Sequence, residues 1–260
     1  MKIISWNVYV YNKDTEKAFE YIDKSKADII CLQEVSKTFL ERLKKSSYDL
    51  VWSIDHSRID DNYSEDCYLV ILSKDEVVRH DFFIVSKDSK QPIRTKLFVR
   101  FMRFFNVGWV KKVINHHALY ADIKTKTRMV RVFSVHLRQG GQVERIRDLT
   151  LIADCFNKED KNIVCGDFNT IYKPLLNVFN WIMGGSLKEF ISWNSEKKIM
   201  ERFFEDYDLQ NPVSGMVTHN FLKSQLDHIL VPDNFNIKGV RVEDKLHGSD
   251  HFPIELVLNI

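Results

Sequence analysis

Short apolar runs rich in β-branched residues, each closed by a polar side chain, recur along this chain and constrain its fold more than any other feature. IISWN ends at Asn7, IICLQE at Glu34, VFSVH at His136, IVCGD at Asp167 and QLDHIL holds Asp227. Runs of this length and composition read as strands, because helices with an apolar face need a longer stretch at 3.6-residue spacing. Strands are accordingly predicted over Lys2–Val8, Asp28–Gln33, Asp49–Ile54, Tyr68–Ser73, Asp81–Val85, Ala118–Ile123, Met129–Leu137, Asn162–Cys165, Gln225–Val231, Gly239–Glu243 and Ile254–Leu258. KTKT joins two of them, which predicts an antiparallel hairpin.

Helical spacing is confined to a few segments. Thr15–Lys24 follows the capping candidate Asp14, Ser36–Lys45 is helical, and Val143–Asn157 places Val143, Ile146, Leu149, Ile152, Ala153 and Phe156 on one face. Strands outnumber helices and the two are interleaved, so mixed sheets with helices packed outside are favoured over a fully parallel doubly wound sheet. No linker, low-complexity tract or repeat interrupts the 260 residues, which read as one domain, 1–260.

Composition narrows the class. Hydrophobic residues make up 44% of the chain, enough for a large core, and disorder is excluded. The 38 basic and 36 acidic residues nearly cancel, so any surface attractive to nucleic acid must be local. Cys31, Cys67, Cys155 and Cys165 form no CxxC pair and read as reduced thiols. MKIISWNVYV lacks the plan of a signal peptide, and no apolar run reaches membrane-spanning length. A soluble cytoplasmic protein follows as the expectation.

The polar residues at the run ends carry the chemistry. Singly, Asn7 and Asn169 are turn formers, Glu34 a helix-start acid, His136 a core histidine, Asp227 a cap, and Asp250–His251 a polar turn. Together they occupy equivalent strand ends, where loops at one edge of a sheet converge on a single cleft. Carboxylate and amide oxygens without a Cys/His cluster suit a hard cation, Mg²⁺ first and Mn²⁺ second. Such an ion beside histidines fits attack of water on a phosphodiester.

ISWN, LQEV, SVHL, GDFN, LDHIL and SDHFPI, in this order from Asn7 to Ile254, resemble the motif series of the endonuclease/exonuclease/phosphatase superfamily. The resemblance implies a deoxyribonuclease I-like α/β fold, a four-layer sandwich of two packed mixed β-sheets flanked by helices. It implies Glu34 as principal metal ligand with Asn7 beside it, and Asp250 completing that shell. His251 would contact the scissile phosphate as base or clamp, oriented by Asp227. Asp167 and Asn169 would position the attacking water or bind a second metal.

SVHL is similar to the histidine versions of this motif in deoxyribonuclease I, sphingomyelinases and tyrosyl-DNA phosphodiesterases, which makes His136 the candidate general acid, helped by an acid such as Asp66 or by none if Asp66 is a turn residue. Arg138 and Arg145 are further phosphate candidates, whereas Arg147 reads as helix surface and His228 as facing away from the site.

Lys90–His117 matches no motif of the series. It interleaves Arg94, Lys96, Arg100, Arg103, Lys111 and Lys112 with Phe98, Phe101, Phe104, Phe105 and Trp109 and contains no acid. Nucleic acid, an anionic membrane surface or ordinary core packing would each suit that composition. The leading expectation is a Mg²⁺-dependent phosphodiesterase acting on nucleic acid, with Arg100 and Arg103 on the substrate. The alternatives are a sphingomyelinase-like lipid phosphodiesterase and a catalytically silent binding module of the same fold.

Overall fold

A computed structural model describes residues 1–59, 64–87, 92–104, 112–159, 161–170, 172, 177–187 and 195–259. Two sheets form its centre. One has seven strands: β1 (Lys2–Asn7), β2 (Ile29–Val35), β3 (Asp49–Ile59), β4 (Ser64–Ser73), β6 (Lys112–Ile114), β12 (Asn236–Val242) and β13 (Ile254–Asn259), in the order β12-β13-β1-β2-β4-β3-β6. The other has six: β5 (Val77–Ser86), β7 (His116–Lys124), β8 (Met129–His136), β9 (Lys161–Asp167), β10 (Leu209–Gln210) and β11 (Asp227–Pro232), in the order β10-β11-β9-β8-β7-β5.

Alternation along the strands builds three apolar layers. Ile3, Ile29, Cys31, Leu69 and Ile71 of the first sheet meet Leu119, Val132, Ile163, Cys165 and Ile229 of the second, forming the core between them. The neighbouring residues Ile4, Ile30, Leu32, Val70 and Leu72 point the other way, onto Ala18 and Ile22 of α1 (Thr15–Ser25) and Phe39, Leu40 and Leu43 of α2 (Lys37–Leu43). On the far side, Phe133, Val135 and Val164 pack on Leu149 and Ile152 of α4 (Gln142–Ala153) and on Met200, Phe203 and Phe204 of α6 (Ser195–Asp206). The result is helix, sheet, sheet, helix, the four layers that the resemblance implied.

Both sheets are mixed, each with one parallel pair: β1 with β2, and β8 with β9. A parallel pair needs a crossover, and α1 and α4 supply them. This arrangement brings the C-terminal ends of both pairs to one edge, with Asn7 beside Gln33 and His136 beside Asp167. The antiparallel strands β11 and β13 start where their neighbours end, so Asp227 stands opposite Asp167. Asp227 and Asp250–His251 therefore lie at strand beginnings, yet on the same edge as the strand-end residues.

Caps and turns match their sequence signals. Asp14 accepts from the Lys17 amide at 3.3 Å at the start of α1, and Ser36 accepts from the Phe39 amide at 3.3 Å at the start of α2. β7 and β8 pair as the predicted hairpin, closed by Thr125 and Arg128. All four cysteines are free thiols. No helix among the described residues is long and apolar enough to cross a membrane.

Within Lys90–His117, the helix α3 (Ile93–Phe104) and the strand β6 are described, while residues 90–91 and 105–111 and the side chains of Arg103 and Lys112 lie outside the described residues. α3 is tied to the body by Arg94 Nε, which donates to Trp181 O at 2.7 Å, and by Thr95, which donates to Ile182 O at 2.6 Å in α5 (Asn177–Ile182).

Candidate active site at the shared edge of the sheets

The cleft is built around Asp167, whose Oδ2 lies 3.7 Å from both His136 Nε2 and His251 Nε2. Behind each imidazole stands a buried carboxylate: Asp55 Oδ2 is 2.8 Å from His136 Nδ1, and Asp227 Oδ2 is 2.8 Å from His251 Nδ1. A carboxylate on Nδ1 fixes the ring and leaves Nε2 pointing into the cleft. Each acid–imidazole pair also bridges the two sheets. Asp55 belongs to β3 and its histidine to β8, while Asp227 belongs to β11 and its histidine to the loop leading into β13.

Glu34 sits beside Asp167 on a distorted stretch of β2. Its φ is 51°, and the β2–β4 register shifts between Leu32 and Val35. This bulge turns the carboxylate toward the cleft and out of the sheet's alternation. Glu34 Oε1 accepts from Asn7 Nδ2 at 3.2 Å, and the same amide nitrogen donates to Asp167 Oδ2 at 3.1 Å. Asn7 Oδ1 is occupied by the Tyr9 amide at 3.0 Å. Asn7, expected as a ligand, ties the two carboxylates together through its NH₂, while its oxygen accepts one hydrogen bond from the adjoining turn.

Arg58 Nη1 lies 3.6 Å from Glu34 Oε2, and its guanidinium stacks 4.6 Å over Tyr11. Asp250 is partly exposed, 3.8 Å from His219 Nε2, and its buried Oδ1 has no hydrogen-bond partner. Its loop is pinned to β1: Ser249 donates to Asn7 O at 2.7 Å, and Trp6 Nε1 donates to His251 O at 3.0 Å. Gly248, with φ 87°, is required there, since a Cβ would run into Asn12 and Asp14. Gly166, with φ 150°, lets β9 approach β8 so closely that a Cβ would overlap Val135 O.

The electrostatics follow from burial among opposite charges. Burial works against charging either imidazole, but the paired carboxylates outweigh it and push His136 and His251 each up to about 10. Burial, with the Asp227 charge added, raises Asp167 to about 6 despite the two histidines. Burial also opposes ionisation of Glu34, yet His136, Arg58 and His56 hold its carboxyl below the ordinary range. Asp250 is raised, by burial first and by the nearby Glu34 charge as well.

Asn7, Glu34, His136, Asp167, Asp227, Asp250 and His251 therefore converge. Asn169 lies just behind them, with φ 51°, donating from Nδ2 to Leu137 O at 2.8 Å. Others do not join the cleft. Arg138 closes a two-pronged pair on Asp148, at 2.9 and 3.2 Å, and also reaches Ser86. Arg145 is fully buried against Glu196. Both guanidiniums serve α4 packing, which corrects their reading as phosphate contacts. Arg100 is on the exposed side of α3. His228 is a buried core histidine bonded to Thr170 at 2.9 Å and stacked on Phe168.

Of the two readings of Asp66, the structure supports the one without a role behind His136: Asp66 accepts from Ser57 at 2.6 Å in the β3–β4 pair, and Asp55 stands behind His136. Asp55 was hidden because β3 was expected to end at Ile54, whereas a bulge between Ile54 and His56 carries it on to Ile59. The signal was in the chain: IDHS repeats the Asp–His dipeptide of LDHIL and SDHFP. Arg58, His116 and His219 had no such marker.

Two packed mixed sheets with an acid–imidazole cleft at one shared edge are the plan of a phosphoesterase fold. The chain matches the Endonuclease/Exonuclease/phosphatase family over residues 4–251, and it belongs to that family. It is similar in fold to an endonuclease/exonuclease/phosphatase family protein from Leptotrichia buccalis, with 17% identity, TM-score 0.68 and full coverage of both chains. It is similar to a mannosyl-6-phosphatase from Bacteroides thetaiotaomicron, with 15% identity, TM-score 0.67 and full coverage of both. It is also similar to the 3′ phosphatase NExo from Neisseria, bound to a product DNA hairpin, with 16% identity, TM-score 0.64 and full coverage of both. No curated protein matches the chain in sequence.

Proposed function

We propose that this chain is a Mg²⁺-dependent phosphodiesterase acting on nucleic acid, with residues 1–260 as one catalytic domain. One observation carries the reading: two imidazoles, each backed by a buried carboxylate, meet at a single Asp167 oxygen at 3.7 Å. The donor set fits a hard cation. Glu34 and Asp250 are negative groups that raise the Tyr9 hydroxyl after burial, and the buried Asp250 Oδ1 lacks a partner. Glu34 and Asp250 would hold the ion, with Asn7 fixing Glu34 in place. A bound Mg²⁺ would supply charge neutralisation at the phosphate oxygens.

The protein's own groups divide the remaining work. Asp167, raised to about 6, is matched to accept a proton from the attacking water near neutral pH. Asn169 holds the turn that aims it, donating its backbone N–H to Asp167 Oδ1 at 2.8 Å. His251, charged because Asp227 supports it, clamps the phosphate oxygens. His136, equally charged, donates its Nε2 proton to the leaving oxygen as the P–O bond breaks. Arg58 beside Glu34 adds a second cation where the substrate's charge would rest.

Hydrolysis of single- and double-stranded DNA with Mg²⁺ or Mn²⁺, with and without chelator, tests the reading against Glu34→Ala and His251→Ala. Activity in the wild type alone, abolished by chelator, is the expected result. Equal turnover by all three proteins overturns the site.

A second reading, a lipid phosphodiester as substrate, is favoured by α3. Ile93, Leu97, Phe101 and Phe104 are 77%, 60%, 59% and 83% exposed and share one helical face, with exposed Lys96 and Arg100 at its flank. Apolar and cationic side chains so placed suit a membrane surface. Headgroup release from sphingomyelin vesicles, with DNA hydrolysis measured beside it, decides between the substrates. Binding of either without turnover would instead mark a silent module.

A further inference from the structure

Asp55, His56, His116 and His136 form a second cluster, whose ligand-type atoms all lie within 4.8 Å of one another. We infer that these four residues make a Zn²⁺ site, distinct from the Glu34–Asp250 site, that takes His136 as one of its ligands.

Backbone geometry assembles the cluster. The bulge between Ile54 and His56 inserts Asp55 as an extra residue in β3, so that Asp55 and His56 are both buried, at 0% and 3% exposure, although they are adjacent. His116 opens β7 and His136 closes β8, and these strands pair directly. The imidazole centroids stand 5.2 Å (His56–His116), 5.2 Å (His56–His136) and 5.6 Å (His116–His136) apart.

Buried polar atoms ordinarily find partners, and three here do not. His56 Nδ1, His116 Nδ1 and Asp55 Oδ1 are buried without a hydrogen bond, His56 Nδ1 lying 3.2 Å from Asp55 Oδ2 without bonding geometry. His136 turns Nε2 to the cleft and Nδ1 to Asp55, so Nδ1 is its donor atom toward this cluster. Three imidazoles and one carboxylate match the tetrahedral preference of Zn²⁺ and not the oxygen shell of Mg²⁺. Binding replaces the His136 Nδ1 proton with the metal and releases that proton to solvent. On the functional reading above, an enzyme so loaded keeps the Nε2 proton of His136, but on a metal-bound imidazole, a weaker acid than the imidazolium it replaces, so Zn²⁺ slows protonation of the leaving group and inhibits.

The test is titration of Co²⁺, as a spectroscopic stand-in for Zn²⁺, into chelator-treated full-length protein held in excess Mg²⁺. The expected result is visible ligand-field absorption of a four-coordinate site saturating at one equivalent and bleached by Zn²⁺. His116→Asn and His56→Gln should each weaken Co²⁺ binding by at least about tenfold, while Glu34→Gln leaves the bands in place. Absent bands in the wild type overturn the site, and so do bands that survive both histidine substitutions or vanish with Glu34→Gln. The wild-type titration decides even if a variant fails to fold. Because it measures binding, its failure is separate from failure of the DNA assay.

Discussion

The two acid–imidazole pairs are alike at the cleft and unlike behind it. Each has a 2.8 Å carboxylate–Nδ1 contact, each spans the sheets, and each aims Nε2 at Asp167. Behind His251 is a loop pinned by Ser249 and Trp6, with His219 edge-on at 4.6 Å. Behind His136 is a bulged strand with two further imidazoles carrying uncommitted nitrogens. Equal short-range geometry thus coexists with unequal surroundings. The difference lies in the kind of neighbour: the Asp227–His251 pair stands among the carboxylates of Asp167 and Asp250 with one further imidazole, His219, while the Asp55–His136 pair shares its carboxylate with two further imidazoles, which a borderline metal prefers.

The comparison can be broken most sharply at the histidines. His251→Asn and His136→Asn are each expected to lower kcat by about 10²–10⁴-fold. A p-nitrophenyl phosphodiester, whose leaving group needs no proton, should restore much of the rate to His136→Asn and little to His251→Asn. If both variants respond alike, the division of roles between them fails.

One step back, Asp227→Asn and Asp55→Asn should each cost about 10–100-fold in kcat, since each removes the group that orients a ring. Steady-state kinetics checks this, with KM close to unchanged for both. Loss confined to Asp227→Asn would make the Asp55 pair a metal site first and a catalytic device second.

Stability against pH sharpens the same contrast. Both histidines are raised from 6.5 to about 10 in the folded protein. Their stabilisation is therefore complete below about pH 6.5, where the unfolded chain is protonated too, and is lost as pH climbs toward 10. Each contributes a slope of about 1.4 kcal/mol per pH unit in that window. Urea unfolding of metal-free protein should show this decline, and His136→Gln or His251→Gln should each flatten it by a similar amount. Unequal flattening would show the environments differ in charge as well as in neighbours.

Arg100→Glu is expected to have the smallest effect, within about 0.5 kcal/mol on folding, because its side chain is exposed. Its consequence belongs to binding: weaker association with anionic vesicles if the lipid reading holds, and weaker DNA binding if α3 tracks nucleic acid. Co-sedimentation and gel shift measure the two.

Much of this was legible in the chain. Strand positions could be read because β-branched runs announce buried strands, and β1, β2, β8, β9, β11 and β13 lie where the pattern put them. The cleft residues could be read because polar groups at the ends of apolar runs have few bland reasons to recur. β3 and β4 each ran longer than expected, because their added segments, DHSRI and SEDC, are largely polar and carry no apolar periodic signal. The helix α6 was missed for a related reason: Ser195–Asp206 is charged, with Met200, Phe203 and Phe204 its few buried apolar residues.

By itself the sequence determined mixed sheets with helices packed outside and a set of polar groups at strand ends, since these depend on local periodicity and residue chemistry, while the four-layer plan and the family followed from the resemblance of the ordered motifs. Only the tertiary structure decided which acid stands behind which histidine. Asp55 reaches His136 across 81 positions, and Asn7 reaches Asp167 across 160, through register, bulges and the packing of two sheets. Arg138 and Arg145 are likewise structural cations only because of what α4 packs against. Spacing along a chain does not encode such distances, because they are set by how separate strands are stacked, and that is a property of the folded whole.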